Sequence, residues 1–183
     1  MQRITALTPA AAPALSRPML DAVQKKLGMV PNLFKTFAHS PAVLQYYLAG
    51  SEALGSGALP AGLREQIALA TAGANECDYC ASAHTLMGKG AGLAPSEMAD
   101  NLRGHSQAAK TQAALTFAAA IVQDHGQVSD AQLQAVRSAG YNDAEVVEIV
   151  ANVVANIFTN YFNHVAGTVI DFPLVRSTAP ATA

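Results

Sequence analysis

The stretch 76-ECDYCASAH-84 holds both cysteines of the chain, three residues apart, and a histidine four residues after the second cysteine. At roughly 100° and 1.5 Å per residue, an α-helix places Cys77, Cys80 and His84 on one stripe of its surface. His84 would then lie about 6 Å along the axis from Cys80 but about 10.5 Å from Cys77. The spacing therefore predicts a helix whose imidazole serves Cys80 directly and Cys77 only through an intermediary.

Helical patterns continue on both sides of this stretch, and no segment alternates apolar and polar residues as a strand would. Two Ser/Thr/Asn-x-x-Glu/Gln pairs, Ser129 with Gln132 and Asn142 with Glu145, are typical of helix starts. We predict an all-α bundle of about eight to nine helices without a sheet. The last helix, Asp143 to about Gly167, is expected to be the central packing element because it carries the longest apolar stripe: Val146, Val150, Val153, Val154, Ile157, Tyr161 and Val165.

The 183 residues, 51% of them hydrophobic, suit one domain with a sizeable core. Residues 1–17 carry Pro, Ala and Ser without a period and are interpreted as an N-terminal extended arm. Residues 18–175 are interpreted as a single helical domain. Residues 176–183 are interpreted as a flexible C-terminal tail.

Charge and hydropathy limit the classes of partner that the protein is expected to bind. A formal net charge of −2 argues against binding to nucleic acid, which needs a basic surface. The longest nearly apolar run, 113–122, is too short to span a bilayer, and prolines interrupt the N-terminal stretch, so no membrane contact is expected and the location is expected to be cytoplasmic. Only 13% of residues are charged, which predicts helices covered by other subunits and hence a homo-oligomer.

In a reducing cytosol two cysteines at this spacing indicate redox chemistry or metal binding rather than a permanent disulfide. A thiolate is the attacking form, and about 2.7 kcal/mol is needed to lower a thiol pKa by two units. A helix start would favour Cys77, whereas a hydrogen bond from His84 would favour Cys80. We predict that Cys80 attacks and that Cys77 resolves the sulfenic acid as a disulfide.

A third group orients the base in many nucleophilic sites. Glu65 lies on the helix before the turn at Asn75 and Glu76, and helices joined by a short turn usually pack antiparallel. Glu65 therefore becomes the candidate that holds the imidazole of His84, which would act as general base.

The Cys-x-x-Cys-x-x-x-His motif with a helical Glu at Glu65 resembles the core of AhpD-like alkylhydroperoxidases in the carboxymuconolactone decarboxylase-like superfamily. The segments 28-GMVPN-32, 160-NYFNH-164 and 171-DFP-173 resemble its peroxidase-related branch. The resemblance implies an all-helical, oligomeric enzyme that reduces organic or hydrogen peroxide through a Cys-Cys-His-Glu proton relay. No cofactor and no metal are implied, and the electron donor is a thiol of unknown identity; some members use a dihydrolipoamide-type donor.

The chain departs from the best-known AhpD enzymes at Tyr79, where they have a second histidine. A phenol donates a hydrogen bond but is not a base at neutral pH, so Tyr79 is a candidate supporting residue rather than a relay base. His164, in a polar cluster with Asn160 and Asn163 on the last helix, is a second candidate supporting residue or a subunit contact.

Two other functions stay open at the level of sequence. The same residues suit a disulfide reductase or redox relay that acts on a protein or lipoyl disulfide. They also suit a non-catalytic metal-binding oligomeric module, in which Cys77, Cys80 and His84 would need Asp78 or His164 as a fourth ligand. Decarboxylation is least favoured, because a cysteine pair has no evident part in it.

Overall fold

The computed structural model describes residues 1–178, which form nine α-helices and one short 3-10 helix and contain no strand. The prediction of an all-α bundle is confirmed. The 3-10 helix is Pro9–Ala11, and the α-helices are α1 (Arg17–Leu27), α2 (Asn32–Phe37), α3 (Pro41–Gly55), α4 (Ala61–Ala74), α5 (Asp78–Gly90), α6 (Pro95–Asn101), α7 (Ala109–Gln123), α8 (Asp130–Ser138) and α9 (Asp143–Ala166). Among these residues no helix is both long and apolar enough to cross a membrane.

Local sequence signals set most of the helix ends. Both predicted capping boxes form, with the side chains of Ser129 and Asn142 accepting hydrogen bonds from the third residue of α8 and α9. The side chain of Ser40 likewise accepts a hydrogen bond from the amide of Val43, the third residue of α3. Gly28 and Gly167 end α1 and α9 in the left-handed conformation, at φ 75° and 58°, which glycine adopts without steric cost.

The central helix is α4 and not, as predicted, the last helix. Eight of the 14 residues of α4 are buried, and α4 contacts α5, α6, α7 and α9. Its alanines and glycines allow neighbouring helices to approach on several sides. Only eight of the 24 residues of α9 are buried. Within the predicted stripe of α9, Val150, Val154, Tyr161 and Val165 are exposed.

The exposed residues of α9 form a second apolar stripe, which the sequence could not separate from the buried one. Val147, Val150, Val154, Tyr161 and Val165 follow each other at spacings of three, four, seven and four residues, so they share one face of the helix. We call this face the outer α9 stripe.

Two hydrophobic clusters make up the interior. The first joins α4 to α7, α8 and α9 and includes Ile67, Leu115 and Ile149. The second joins the N-terminal residues, α1, α2 and α3 to the cysteine helix, and it contains Leu44 and Cys80. The predicted redox stretch is therefore part of the second cluster.

Both terminal segments contact the body of the chain. Residues of the predicted N-terminal arm bind the rest of the chain, because the amide of Arg3 donates to the carbonyl of Ala166 and Ala12 is buried. Residues 170–177, which we call the C-terminal strap, lie across the start of α5. Arg176 and Ser177, assigned to a flexible tail, both bind Asp78. Residues 179–183 of that predicted tail lie outside the described residues.

The fold predicts a strong effect at Gly73, near the end of α4. A Cβ atom at this position would overlap with the backbone carbonyl of Leu102, and backbone cannot move aside as a flexible side chain can. Gly73→Ala is expected to lower the free energy of unfolding by about 2 to 3 kcal/mol. The control is Gly50→Ala in α3, where the added Cβ meets nothing within 4 Å and should raise stability by about 0.5 to 1 kcal/mol. Urea unfolding of both variants tests this, and equal stabilities would contradict the close contact.

Candidate active site

The cysteine helix begins one residue later than the motif. α5 starts at Asp78, and Cys77 is its N-cap residue, whose Sγ accepts a hydrogen bond of 3.4 Å from the amide of Cys80. The sulfur thus takes the part that serine or aspartate oxygen has in most caps. Cys77 and Cys80 are free thiols, and each is 2% exposed.

The two thiols differ in their electrostatics. The hydrogen bond from the Cys77 thiol is the largest cause that lowers the pKa of Cys80, against the opposing effect of burial. The same hydrogen bond, together with burial, raises the pKa of Cys77. When one proton leaves the pair, the negative charge therefore resides on Cys80 and the proton stays on Cys77.

Asn163 of α9 is the other direct partner of Cys80. Its Nδ2 donates a hydrogen bond of 3.3 Å to the Cys80 Sγ, and this contact also lowers the pKa of Cys80. Thr159 and Asn160, on the same helix, act in the same direction. The sequence identified a polar cluster on α9 but assigned interest to His164, whereas Asn163 is the member that reaches the sulfur.

Glu65 and His84 meet as the antiparallel packing of α4 and α5 predicts. The Oε2 of Glu65 lies 2.8 Å from the Nδ1 of His84, and the two side chains are 20% and 15% exposed. A carboxylate accepts from the Nδ1 proton, so in the neutral ring Nε2 is left as the basic nitrogen.

The imidazole does not bind either sulfur directly. Within residues 1–178, the hydrogen bonds to the Cys80 sulfur come from Cys77 and from polar side chains of α9 and not from His84, which corrects the expectation of a direct contact. Both Cys80 and His84 instead line one cavity of about 820 Å³. Because they share a wall of this large cavity, a bound molecule can touch the sulfur and the imidazole at the same time.

The large cavity has an apolar, aromatic lining. Its aromatic residues are Phe34, Tyr46, Tyr47, Tyr79, Phe158 and Phe172. Tyr47 is the member that sequence reasoning missed as a candidate site residue. Burial, followed by the negative charges of Cys80 and Glu65, raises the pKa of Tyr47, so its phenol stays protonated and can donate a hydrogen bond.

Tyr79 has a structural environment that differs from that of a relay residue. Its hydroxyl donates to Asp171 of the C-terminal strap at 3.0 Å and accepts from the amide of Leu33 at 3.1 Å. Burial raises its pKa. The phenol thus ties α2 and the strap to α5, and its ring lies between the large cavity and a small one.

The small cavity, of about 180 Å³, lies at the start of α5, between that helix and the end of α9. It is lined by Cys77 and not by Cys80. The predicted supporting residue His164 is exposed and lies on this cavity, away from Glu65 and His84. Of the two predicted supporting residues, Tyr79 lines both cavities, whereas His164 lines only the small one and is therefore separated from Glu65 and His84.

The geometry does not favour the metal alternative. Among residues 1–178, no group of three or more His, Cys, Asp or Glu side chains is placed to share a metal ion. Asp78, one of the two candidates for a fourth ligand, is engaged by Arg176 at 2.6 Å and by Ser177 at 2.8 Å.

The hydrogen bond from Asn163 predicts a measurable change in thiol reactivity. Asn163→Leu removes a donor to a charged acceptor, so the pKa of Cys80 should rise and its rate of alkylation by iodoacetamide at pH 7 should fall about tenfold. The lowered pKa keeps the Cys80 thiol ionised at pH values where an ordinary cysteine is protonated. The alkylation rate of the wild type should therefore persist to lower pH than that of the variant. Asn156→Leu is the control, since that amide binds the carbonyl of Asn152. Equal pH profiles for both variants would show that Asn163 does not stabilise the thiolate.

Comparisons with known proteins agree with the helical architecture. Residues 41–123 match the model of the carboxymuconolactone decarboxylase family. No curated protein sequence matches significantly. A crystal structure described as an alkylhydroperoxidase AhpD core, a peroxidase-related protein from Ralstonia eutropha JMP134, is 28% identical with a TM-score of 0.84 and covers 93% of this chain and 92% of that one.

Two further structures share the fold. A peroxidase-related protein from Silicibacter sp. TM1040 is 26% identical with a TM-score of 0.79, and 91% of each chain is covered. The debrominase Bmp8, as a cysteine-to-alanine variant in complex with 2,3,4-tribromopyrrole, is 20% identical with a TM-score of 0.78, over 92% of this chain and 91% of that one.

Proposed function

We propose that this chain, whose residues 41–123 match the carboxymuconolactone decarboxylase family model and whose fold is similar to that of an AhpD core, is a thiol-dependent peroxidase that reduces peroxides at Cys80. One observation carries the proposal. A sulfur with a lowered pKa, supported by Cys77 and Asn163, faces the same cavity as the Glu65 and His84 pair. This arrangement supplies an ionised nucleophile and a proton carrier to one bound molecule.

In the first step the Cys80 thiolate attacks the outer oxygen of the hydroperoxide. The O–O bond breaks, the sulfur becomes a sulfenic acid, and the departing alkoxide takes a proton from the imidazolium of His84. Glu65 fixes the ring by its hydrogen bond to Nδ1 and stabilises the positive charge of the protonated form. The phenol of Tyr47 is available to donate a hydrogen bond to the peroxide.

In the second step the neighbouring thiol closes the cycle. The Cys77 sulfur attacks the sulfenic sulfur, water leaves, and a Cys77–Cys80 disulfide forms. Cys77 keeps its proton until this step, because its pKa is raised in the reduced pair. An external thiol then returns both cysteines to the reduced form.

The lining of the large cavity supports organic peroxides as the better substrates. About 820 Å³ is room for a drug-sized apolar group, and aromatic rings line the walls. Cumene hydroperoxide, which carries an aryl group, should therefore react with a higher kcat/KM than hydrogen peroxide.

The proposal is tested by titrating free thiols before and after one equivalent of cumene hydroperoxide, at several pH values. The expected result is the loss of two thiols per chain and one equivalent of cumyl alcohol. Unchanged thiols would overturn the proposal. Release of bromide from a brominated pyrrole without reaction with the peroxide would also overturn it and would instead favour a halide-removing activity.

The alternative of a disulfide reductase uses the same two sulfurs. It predicts slow reaction with peroxide and rapid exchange with an oxidised lipoyl group or a protein disulfide. The same titration, with oxidised lipoamide in place of the peroxide, distinguishes the two: rapid loss of thiols only with lipoamide would favour the reductase.

We also propose that the protein acts as a homo-oligomer in the cytoplasm. The outer α9 stripe exposes four valines and a tyrosine on one helix face, and Val154 of this stripe also lines the mouth of the large cavity with the exposed Tyr46 and Met87. A second copy placed here would cover apolar surface and close the cavity. Light scattering coupled to size exclusion should give a multiple of 18.9 kDa, and a monomer would contradict this assignment.

A further inference from the structure

The two thiols line two different cavities. Cys80 lines the large cavity with Glu65 and His84, whereas Cys77 lines the small cavity of about 180 Å³. The ring of Tyr79, held by Asp171 and Leu33, stands between the two spaces. Each cavity therefore gives access to one of the two sulfurs.

The small cavity also contains polar atoms without partners. Asn163 and Thr168 line it, and their Oδ1 and Oγ1 atoms are buried and have no hydrogen-bond partner within residues 1–178. The two residues are 5% and 9% exposed. Because buried polar atoms are almost always satisfied, these two point to a polar occupant that donates at least one hydrogen bond.

From this arrangement we propose that the small cavity is the binding site for the reducing thiol, which attacks the sulfur of Cys77. This inference rests on the proposed function, because the disulfide that the thiol reduces is the Cys77–Cys80 disulfide of the proposed cycle. A volume of about 180 Å³ corresponds to roughly six water molecules. This space admits the tip of a slender thiol that carries a hydroxyl or an amide N–H near its sulfur.

The step balances as an exchange of one disulfide bond. The entering thiol gives its proton to the exposed imidazole of His164 at the mouth, and its thiolate attacks Cys77. The Cys77–Cys80 bond breaks, and the electron pair leaves on the Cys80 sulfur. A second thiol, whose proton passes to solvent, then attacks the external sulfur of the mixed disulfide. An external disulfide is released, and the Cys77 thiolate leaves and regains the proton held by His164.

The chemistry of the leaving group supports this direction of attack. In thiol–disulfide exchange, the sulfur with the lower pKa leaves faster. The hydrogen bonds from Cys77 and Asn163 lower the pKa of Cys80 in the reduced pair, and the Asn163 donor stays available to the departing sulfur. Attack at Cys77 therefore expels the better leaving group, and attack at Cys80 would expel the worse one.

The first experiment identifies the attacked sulfur. The disulfide is made with diamide, so that the result does not depend on reaction with a peroxide. It is then treated with 2-mercaptoethanol, alkylated with iodoacetamide and sequenced by tandem mass spectrometry. We expect the mercaptoethanol adduct on Cys77 and the alkyl group on Cys80. The reverse labelling would overturn the proposal even if peroxide oxidises the protein as proposed.

The second experiment tests the unpaired polar atoms. Dithiothreitol and 1,4-butanedithiol share the same carbon chain and differ in two hydroxyl groups, so their reduction rates, each divided by thiolate concentration, report recognition of a hydroxyl. The ratio of the dithiothreitol rate to the butanedithiol rate should be about tenfold higher for the wild type than for Thr168→Val. Valine replaces an unpaired buried hydroxyl by a methyl group of the same size, so folding should be retained. The same preference in both proteins would mean that the cavity holds only water.

Discussion

Cys80→Ser is expected to lower the rate of peroxide reduction by about 10⁴-fold or more. A serine hydroxyl is not ionised near neutral pH, and removal of a nucleophile leaves only the effects of binding and positioning. No sulfenic acid and no disulfide should then form with cumene hydroperoxide. The measurement is stopped-flow loss of peroxide together with titration of the remaining thiol at Cys77.

Cys77→Ser is the matched control, since it removes the other sulfur and keeps a hydrogen-bond donor beside Cys80. This variant should consume about one equivalent of peroxide and then stop, because the sulfenic acid at Cys80 has no resolving thiol. Labelling with dimedone should detect that acid. If Cys80→Ser instead consumed one equivalent of peroxide and then stopped, while Cys77→Ser consumed none, the two sulfurs would have exchanged roles.

His84→Gln is expected to lower kcat/KM for tert-butyl hydroperoxide by about 10²- to 10³-fold, the usual range for loss of a general acid. Glu65→Gln should cost less, about tenfold, since the amide oxygen still accepts from Nδ1 but carries no charge. Both values are compared with those of His105→Gln, which changes an exposed histidine away from the large cavity.

A second substrate separates proton donation from mere structural support. Peracetic acid releases a carboxylate, which needs no proton to depart, so the loss for His84→Gln should shrink to a few-fold with this substrate. A purely structural role would slow both substrates by the same factor. Equal losses with the hydroperoxide and the peracid would therefore reject His84 as the proton donor.

The sequence predicts those features that depend on short stretches of chain. Caps at Ser129 and Asn142 and the glycine end of α9 involve residues within one turn of each other, so their patterns are local. The pairing of Glu65 with His84 follows from two helices and one short turn. In these cases a helical period and the antiparallel packing of neighbours are enough to place the side chains.

Contacts between distant segments could not be predicted. Asn163 binds Cys80 across 83 residues of sequence, and nothing in the motif states which amide on α9 faces α5. The burial predicted for Val154 and Val165 was wrong for a related reason: α9 carries two apolar stripes, and only the packing of α4 decides which one is covered. Tyr47 likewise has the pattern of an ordinary core residue until α3 is placed against the sulfur.

The two separate hydrophobic clusters have a consequence for damaged molecules. Both thiols belong to the cluster of the N-terminal helices, while α7, α8 and α9 share another cluster with α4. A sulfinate at Cys80 puts a permanent charge into the second cluster, which holds the N-terminal helices, so local opening there becomes easier while the first cluster stays closed. Over-oxidised chains would thus remain partly folded while their N-terminal half becomes accessible to proteases. Proteolysis could then remove the inactivated protein before it unfolds completely.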